Sequence, residues 1–114
     1  MGNDTVIQLM AESKNKNERF LAAWKDAVRL IGPAYFKGTV PTATSKEDLA
    51  PDYPIFVSRL GTASSGERLF MLAVYQFYND TEFKSRPSLT DLAWTLDEDR
   101  LDVLVRLMRN YSGW

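Results

Sequence analysis

Residues 17–33 read NERFLAAWKDAVRLIGP, and this stretch decides the fold class. Its apolar side chains recur every three or four residues, the spacing that places them on one face of a helix. They are Phe20, Leu21, Trp24, Ala27, Val28 and Ile31. Asn17 is the predicted N-cap. Gly32 and Pro33 are the predicted end, because glycine accepts a left-handed conformation and proline cannot continue a helix.

A separate short helix is predicted upstream, capped by Asn3 or Asp4 and carrying the apolar residues of 6–10. The polar run 13–17, SKNKN, interrupts the apolar pattern. We therefore expect the chain to leave the first helix there and to enter the next one at Asn17.

The segment 34–62 is less regular, because prolines stand at positions 33, 41, 51 and 54. Two short runs, 35–40 and 55–60, lie between these breakers and are the best strand candidates. We expect them to pair as a two-stranded ribbon. Between them, residues 45–48 predict the start of a single helical turn that Pro51 stops.

Residues 69–78, LFMLAVYQFY, are apolar except for Gln76. Ser64 and Glu67 precede this run with the spacing of a capping box, in which the hydroxyl and the carboxylate each accept from a backbone amide. A helix here is hydrophobic on every side, so it is either a central element or has one face for a partner. A strand is the alternative, since Phe, Val and Tyr favour sheets.

Two further helices are predicted near the end of the chain. Ser88 begins a short helix with a second capping box and Asp97 caps the last helix, in which acidic residues come early and arginines late, as the helix dipole favours. The core stripe of the last helix is predicted to comprise Leu101, Leu104, Val105, Met108 and Tyr111, widened by Val103 and Leu107. The predicted fold is therefore mainly α, a single small domain over 1–114 of four to five helices with a short two-stranded β-ribbon. An α+β fold is the alternative.

Composition excludes several kinds of chemistry. The chain has no histidine and no cysteine, so it lacks the side chain that titrates near neutrality, the thiolate nucleophile and the usual ligands of zinc. We expect no cofactor, no catalytic residue and no metal site. The net charge of −1 provides no overall attraction to nucleic acid. Without a membrane-spanning run or a signal peptide, a cytoplasmic protein with no membrane partner is expected.

Four aromatic residues are the candidates for partner binding, since such side chains are enriched at the centres of protein interfaces. They are Tyr75, Tyr78, Tyr111 and Trp114. The corresponding hypothesis is a non-enzymatic module that binds another protein, with self-association as a homodimer the simplest case.

Two alternatives use charged residues. A nucleic-acid-associated regulator would use the basic side chains of the N-terminal region, namely Lys14, Lys16, Arg19, Lys25 and Arg29. A divalent-metal nuclease would use Asp52, Glu82 and Lys84, which follow a PD…ExK-like pattern of two carboxylates and a lysine. The polar surroundings of Glu82 argue against the nuclease, because that tripeptide normally lies on a core strand.

Residues 61–68, GTASSGER, followed by 70–79, FMLAVYQFYN, and 88–93, SLTDLA, resemble small uncharacterised proteins of conjugative elements and phages. The resemblance covers residues 61–107, and residues 64–66 depart from the turn of those proteins. It implies helices in this half of the chain and an accessory role in a mobile element. One form of that role is an inhibitor, such as an anti-defence factor, that occupies a partner's surface. The resemblance implies no catalytic residue.

Overall fold

A computed structural model describes the backbone of residues 2–113 and the side chains of residues 15–113. Within these residues the chain forms five α-helices, which confirms the mainly α prediction. They are α1 (Gly2–Ile31), α2 (Tyr53–Thr62), α3 (Ser65–Gln76), α4 (Leu89–Thr95) and α5 (Glu98–Asn110). Two short 3-10 turns, Pro33–Tyr35 and Glu47–Leu49, lie between α1 and α2, the second of them where a helical turn is predicted.

Helix α1 runs without interruption, so the predicted break at residues 13–17 is wrong. The reason is that this run contains neither proline nor glycine, and its polar residues each cost a helix well under about 1 kcal/mol. Asn17 does not act as an N-cap, and its Oδ1 accepts a hydrogen bond from the Ser112 hydroxyl at 2.9 Å. The predicted end is correct. Gly32 adopts φ +129°, and its N–H donates to the Val28 carbonyl at 2.8 Å.

Helix α3 is the centre of the structure. Its residues 70–75 are all buried, which confirms the helix prediction and its interpretation as a central element. Helix α1 packs along α5 and contacts α3, so the three helices enclose most of the core. Ring contacts continue the core toward α2: Trp24 meets Phe36 at 6.2 Å between centroids, Phe36 meets Phe56 at 5.9 Å, and Phe56 meets Tyr75 at 5.2 Å.

The predicted β-ribbon does not form. Residues 55–60 belong to α2, whose first turn contains Pro54, a position at which proline favours a helix because no backbone N–H is needed. The other predicted strand is reduced to one isolated bridge between Phe36 and Pro51 in the described part of the chain. Lys37 N–H donates to the Ala50 carbonyl at 2.8 Å there. Proline at position 51 cannot donate, which limits the ladder.

The caps of the last three helices are largely as predicted. The side-chain oxygens of Ser64, Ser88 and Asp97 accept from backbone N–H groups at 3.4, 3.1 and 2.9 Å. Only the serine half of each predicted capping box forms. The Glu67 carboxylate pairs with Arg59, and the Asp91 carboxylate does not accept from the Ser88 backbone N–H.

The core stripe of α5 differs from the prediction. Its fully buried side chains are Val103, Leu104, Leu107 and Asn110, whereas Val105 and Met108 are exposed. Asn110 is tolerated in the core because its amide is satisfied. Its Oδ1 accepts from Arg19 Nε at 3.0 Å, and its Nδ2 donates to the Arg106 carbonyl at 2.9 Å. The predicted apolar face is therefore divided between a core side and a solvent side.

Candidate functional site

Helix α4 is a seven-residue helix of which only one side packs against the rest of the protein. Leu92 is half-buried and Leu96, at its C-cap, is buried, and both contact the core cluster. Thr95 lies near the first turn of α3, where its Cγ2 is 3.7 Å from the position that a Cβ on Gly66 would occupy. No side chain of α4 itself is fully buried.

Trp94 lies on the opposite side of α4 and is 92 % exposed. It is two residues from both Leu92 and Leu96, and two residues correspond to about 200° around a helix axis. The helix therefore cannot bury the two leucines and the indole together when only one of its sides packs against the rest of the protein. Leu89 is also exposed, at 74 %, but its spacing from Leu92 and Leu96 places it on the leucine side of the helix. We call the solvent-facing side of α4 that carries Trp94 the α4 surface.

The charges around the α4 surface are acidic. No lysine or arginine stands between positions 88 and 99, whereas Asp91, Asp97, Glu98 and Asp99 do. Residues 80–102 contain seven acidic and three basic side chains, a net charge of −4. Arg100 is already engaged, since it pairs with Asp97 and lies 5.9 Å from the Phe70 ring. The Arg100 backbone N–H, donated to Asp97, lowers the pKa of that carboxyl and keeps it charged at neutral pH.

The aromatic residues predicted to bind a partner do not form a single surface. Tyr75 is buried in α3, with its ring 4.8 Å from that of Phe83. Tyr78 and Tyr111 are both partly exposed and line one open cleft of about 470 Å³ with Phe77. Trp114 lies outside the described residues. The prediction that these residues contact a partner stays a prediction, and burial leaves Tyr75 no surface through which to do so directly.

A second cleft, of about 410 Å³, has Lys46 among its lining residues. This side chain is nearly buried, with 3 % of the residue exposed, and its Nζ donates to the Phe77 carbonyl at 2.7 Å. The ammonium also lies 5.9 Å from the Phe20 ring and 5.6 Å from the Tyr78 ring. Burial lowers the pKa of Lys46 to about 8, against the smaller opposing effect of Glu47. The lysine ties the loop before α2 to the end of α3.

We expect the stability of the protein to rise between pH 8 and pH 10. Lys46 releases its proton near pH 8 in the folded state and near 10.5 when unfolded, so the unfolded chain binds more protons in this interval. The expected gain is about 2 kcal/mol. Burial also raises the pKa of Tyr75 from 10.0 to about 12, so stability falls again above pH 10, where the unfolded tyrosine ionises first.

Urea unfolding followed by circular dichroism at a series of pH values measures this dependence. The variant Lys46→Met is the control, because a side chain of similar length without a titratable amine removes the rise between pH 8 and pH 10. A flat wild-type curve over that interval would contradict the assignment to Lys46.

The five basic residues of the nucleic-acid alternative do not share one face of α1. Lys16 and Arg19 lie within about 60° of each other, but they are more than about 80° from Lys25 and Arg29 on the same helix. Arg29 is paired with Asp26 at 3.0 Å, and Arg19 donates to Asn110. Lys14 has its side chain outside the described residues. The structure therefore divides this predicted site between two directions.

In the described part of the chain, the residues of the nuclease alternative do not form a metal cluster, although two of them are sequence neighbours of residues that contact each other. Tyr53 stacks on Phe83 with ring centroids 6.2 Å apart, so Asp52 and Glu82 each adjoin a residue of the same contact. Glu82 and Lys84 are exposed in the connection between α3 and α4, not on a strand. Among residues whose side chains are described, no group of three carboxylates, histidines or cysteines could hold a metal ion.

Compared with protein-family models, with curated proteins and with solved structures, the chain matches none of them. Among the described residues, no helix combines the length and the apolar character that crossing a membrane requires.

Trp94 is the residue that sequence reasoning missed. The signal was present, because Leu92 and Leu96 are four residues apart and so share a helix face that excludes position 94. The short predicted helix could bury its leucines or its tryptophan, but not both. The longer apolar run 69–78 predicts an interface at Tyr75 and Tyr78 instead, and Tyr75 belongs to the core.

Proposed function

We propose that this protein is a non-enzymatic binding module that recognises another protein through the α4 surface. The observation that supports this proposal is the 92 % exposure of Trp94 on a helix whose opposite side is attached to the body. Tryptophan is among the residues most enriched at binding hot spots, since it buries a large rigid area with little loss of conformational freedom.

The free energy available at this position is large. A tryptophan side chain can bury up to about 250 Å² of surface, and its truncation at a binding hot spot typically costs about 2–4 kcal/mol. In the unbound protein the indole is almost fully hydrated, so it contributes little to the folded state. A large apolar side chain that is exposed to water and does not pack in the core is expected to be buried by a binding partner.

The charges indicate the chemistry of that partner. An apolar anchor in a stretch of chain that also carries Asp91, Asp97, Glu98 and Asp99 suits a protein with an apolar pocket bordered by lysine or arginine. The same acidic border repels phosphate groups, which disfavours nucleic acid at this surface. It also disfavours a second copy of the chain in the same place, because two borders of like charge would meet.

The resemblance of residues 61–107 to accessory proteins of conjugative elements and phages suggests a setting for this binding. In that setting the chain is an accessory or inhibitor protein, such as an anti-defence factor, and acts in the cytoplasm by occupying the surface of its partner. Steric occupation needs no histidine, cysteine or metal, in keeping with the composition.

The substitution Trp94→Ala is expected to abolish partner binding and leave the fold intact. Loss of about 2–4 kcal/mol corresponds to a Kd raised by roughly 30-fold to 1000-fold. A photo-crosslinking residue, p-benzoylphenylalanine, placed in source cells at position 90, an exposed position one turn before Trp94 on the same side of α4, identifies the partner. Titration calorimetry with the purified pair gives the Kd. Rising salt should weaken the complex, as a basic border on the partner requires.

Ile55→Ala is the matched control, since Ile55 is an exposed apolar residue on α2. It should bind like the wild type, and position 55 should give no specific cross-link. Unchanged affinity of Trp94→Ala, or a cross-link at position 55 but not at position 90, would contradict the proposal.

A further inference from the structure

Helix α5 has a second apolar stripe on its solvent side. Leu101, Val105 and Met108 lie within about 60° of one another around the helix axis. Leu101 is half-buried and packs in part against the core cluster, whereas Val105 is exposed and Met108 is 52 % exposed. The core side of the helix is formed by other residues, 103, 104, 107 and 110. We call residues 101, 105 and 108 the α5 stripe.

Charge is ordered along α5. Glu98, Asp99 and Asp102 occupy its first half together with one basic residue, Arg100, which is paired with Asp97, and Arg106 and Arg109 occupy its second half. Arg106 is engaged within the molecule, because its Nη2 donates to Asp26 at 2.8 Å and its Nε to Asp102 at 3.0 Å. In the described part of the chain, the exposed Arg109 side chain forms no ion pair, so its charge is available at the surface.

Asp102 and Arg109 flank the α5 stripe on the same side. They are seven residues apart, so they differ by only about 20° around the axis. In an antiparallel pair of helices related by a two-fold axis, residues on one flank of the stripe face residues on the same flank of the second helix. Because the helices run in opposite directions, a residue near the start of one helix faces a residue near the end of the other. With the two-fold axis near Val105, the middle of the stripe, Asp102 of the first copy lies opposite Arg109 of the second copy. By symmetry, Arg109 of the first copy lies opposite Asp102 of the second copy.

We propose that the α5 stripe is the interface of a homodimer, in which a second copy of this chain packs antiparallel on α5. Leu101 of one copy meets Met108 of the other, Val105 meets itself at the two-fold axis, and two Asp102–Arg109 pairs close one flank. The charge order selects this occupant: a helix that is acidic at one end and basic at the other is complementary to itself when reversed.

The dimer is weak and independent of the α4 surface. One helix face buries less than the roughly 800 Å² per partner of a standard interface, so we expect weak association that becomes detectable only at high protein concentration. Trp94 is not part of the α5 stripe, and Trp94→Ala is expected to dimerise like the wild type. Failure of the dimer therefore leaves the proposed partner binding untouched, and the reverse also holds.

Sedimentation equilibrium from about 10 µM to 1 mM tests the interface with the protein alone. Arg109→Asp places aspartate opposite Asp102, and Asp102→Arg places arginine opposite Arg109, so each variant is expected to weaken the dimer about tenfold or more. The double variant exchanges the charges and should regain the wild-type affinity. An equimolar mixture of the two single variants should form a heterodimer, because each mixed contact then joins opposite charges.

Lys84→Asp changes the net charge as Arg109→Asp does but lies in the exposed connection before α4, so it should dimerise normally. Met108→Lys, at an exposed position, should abolish the dimer without unfolding the chain, and serves if Asp102→Arg fails to fold. A wild-type protein that stays monomeric to 1 mM overturns the proposal. So does a dimer that neither Met108→Lys nor Arg109→Asp weakens.

Discussion

Replacing Trp24 by alanine is expected to lower the free energy of unfolding by about 4–5 kcal/mol, a large part of the roughly 5–15 kcal/mol by which a native domain is stable. Trp24 is fully buried, with its ring 6.3 Å from that of Phe20 and 6.2 Å from that of Phe36. Its Nε1 donates to the Leu49 carbonyl at 3.1 Å. Alanine leaves both a cavity and an unpaired carbonyl.

Two controls separate these contributions in urea unfolding. Trp24→Phe keeps most of the apolar volume and loses the donor, for an expected cost of about 1–2 kcal/mol. Trp94→Ala removes the same side chain from an exposed position and should change stability by less than about 0.5 kcal/mol. Equal losses from Trp24→Ala and Trp94→Ala would contradict the burial that distinguishes the two tryptophans.

Replacing Gly38 by alanine is expected to cost about 2–4 kcal/mol. Gly38 adopts φ +73°, where L side chains are strained, and a Cβ there would lie 2.2 Å from the Asp48 carbonyl oxygen. The obstacle is backbone, so no side-chain rotation relieves it. The two loop segments that meet at the Phe36–Pro51 bridge would have to separate.

Gly61→Ala is the matched control for Gly38→Ala. Gly61 lies within α2, and a Cβ there would meet nothing within 4 Å. Alanine in a helix is preferred over glycine by about 1 kcal/mol, so this variant should be neutral or more stable. Thermal unfolding of both variants measures the contrast, and similar shifts in Tm would contradict the close approach of residues 38 and 48.

The elements that sequence predicts well are those with both a periodic interior and local end signals. Helix α3 combines an apolar run with the Ser64 cap. Helix α1 ends at Gly32, where the glycine and the proline that follows it are the local end signal. The β-ribbon was predicted wrongly because residues 55–60 are short and apolar, and such a run fits either a strand or a helix. Only the chain around it, through Pro54 in the first turn, selects the helix.

The candidate sites show a different limit. Which side of an amphipathic helix faces inward depends on the tertiary partner, and α5 has apolar residues around half its circumference. Packing against α1 buries Leu107 and leaves Met108 exposed, a choice that periodicity alone does not make. Trp94 follows the same rule, because burial of Leu92 and Leu96 determines its exposure.

The pairing of the first helix with the last has a consequence for the order of events during synthesis. Arg19 and Asn110 are separated by 91 residues, and Asp26 and Arg106 by 80. On the ribosome, α1 therefore waits until α5 has emerged before its apolar side is covered. A nascent chain stalled before residue 98 should therefore still expose Phe20 and Val28 to chaperones and proteases.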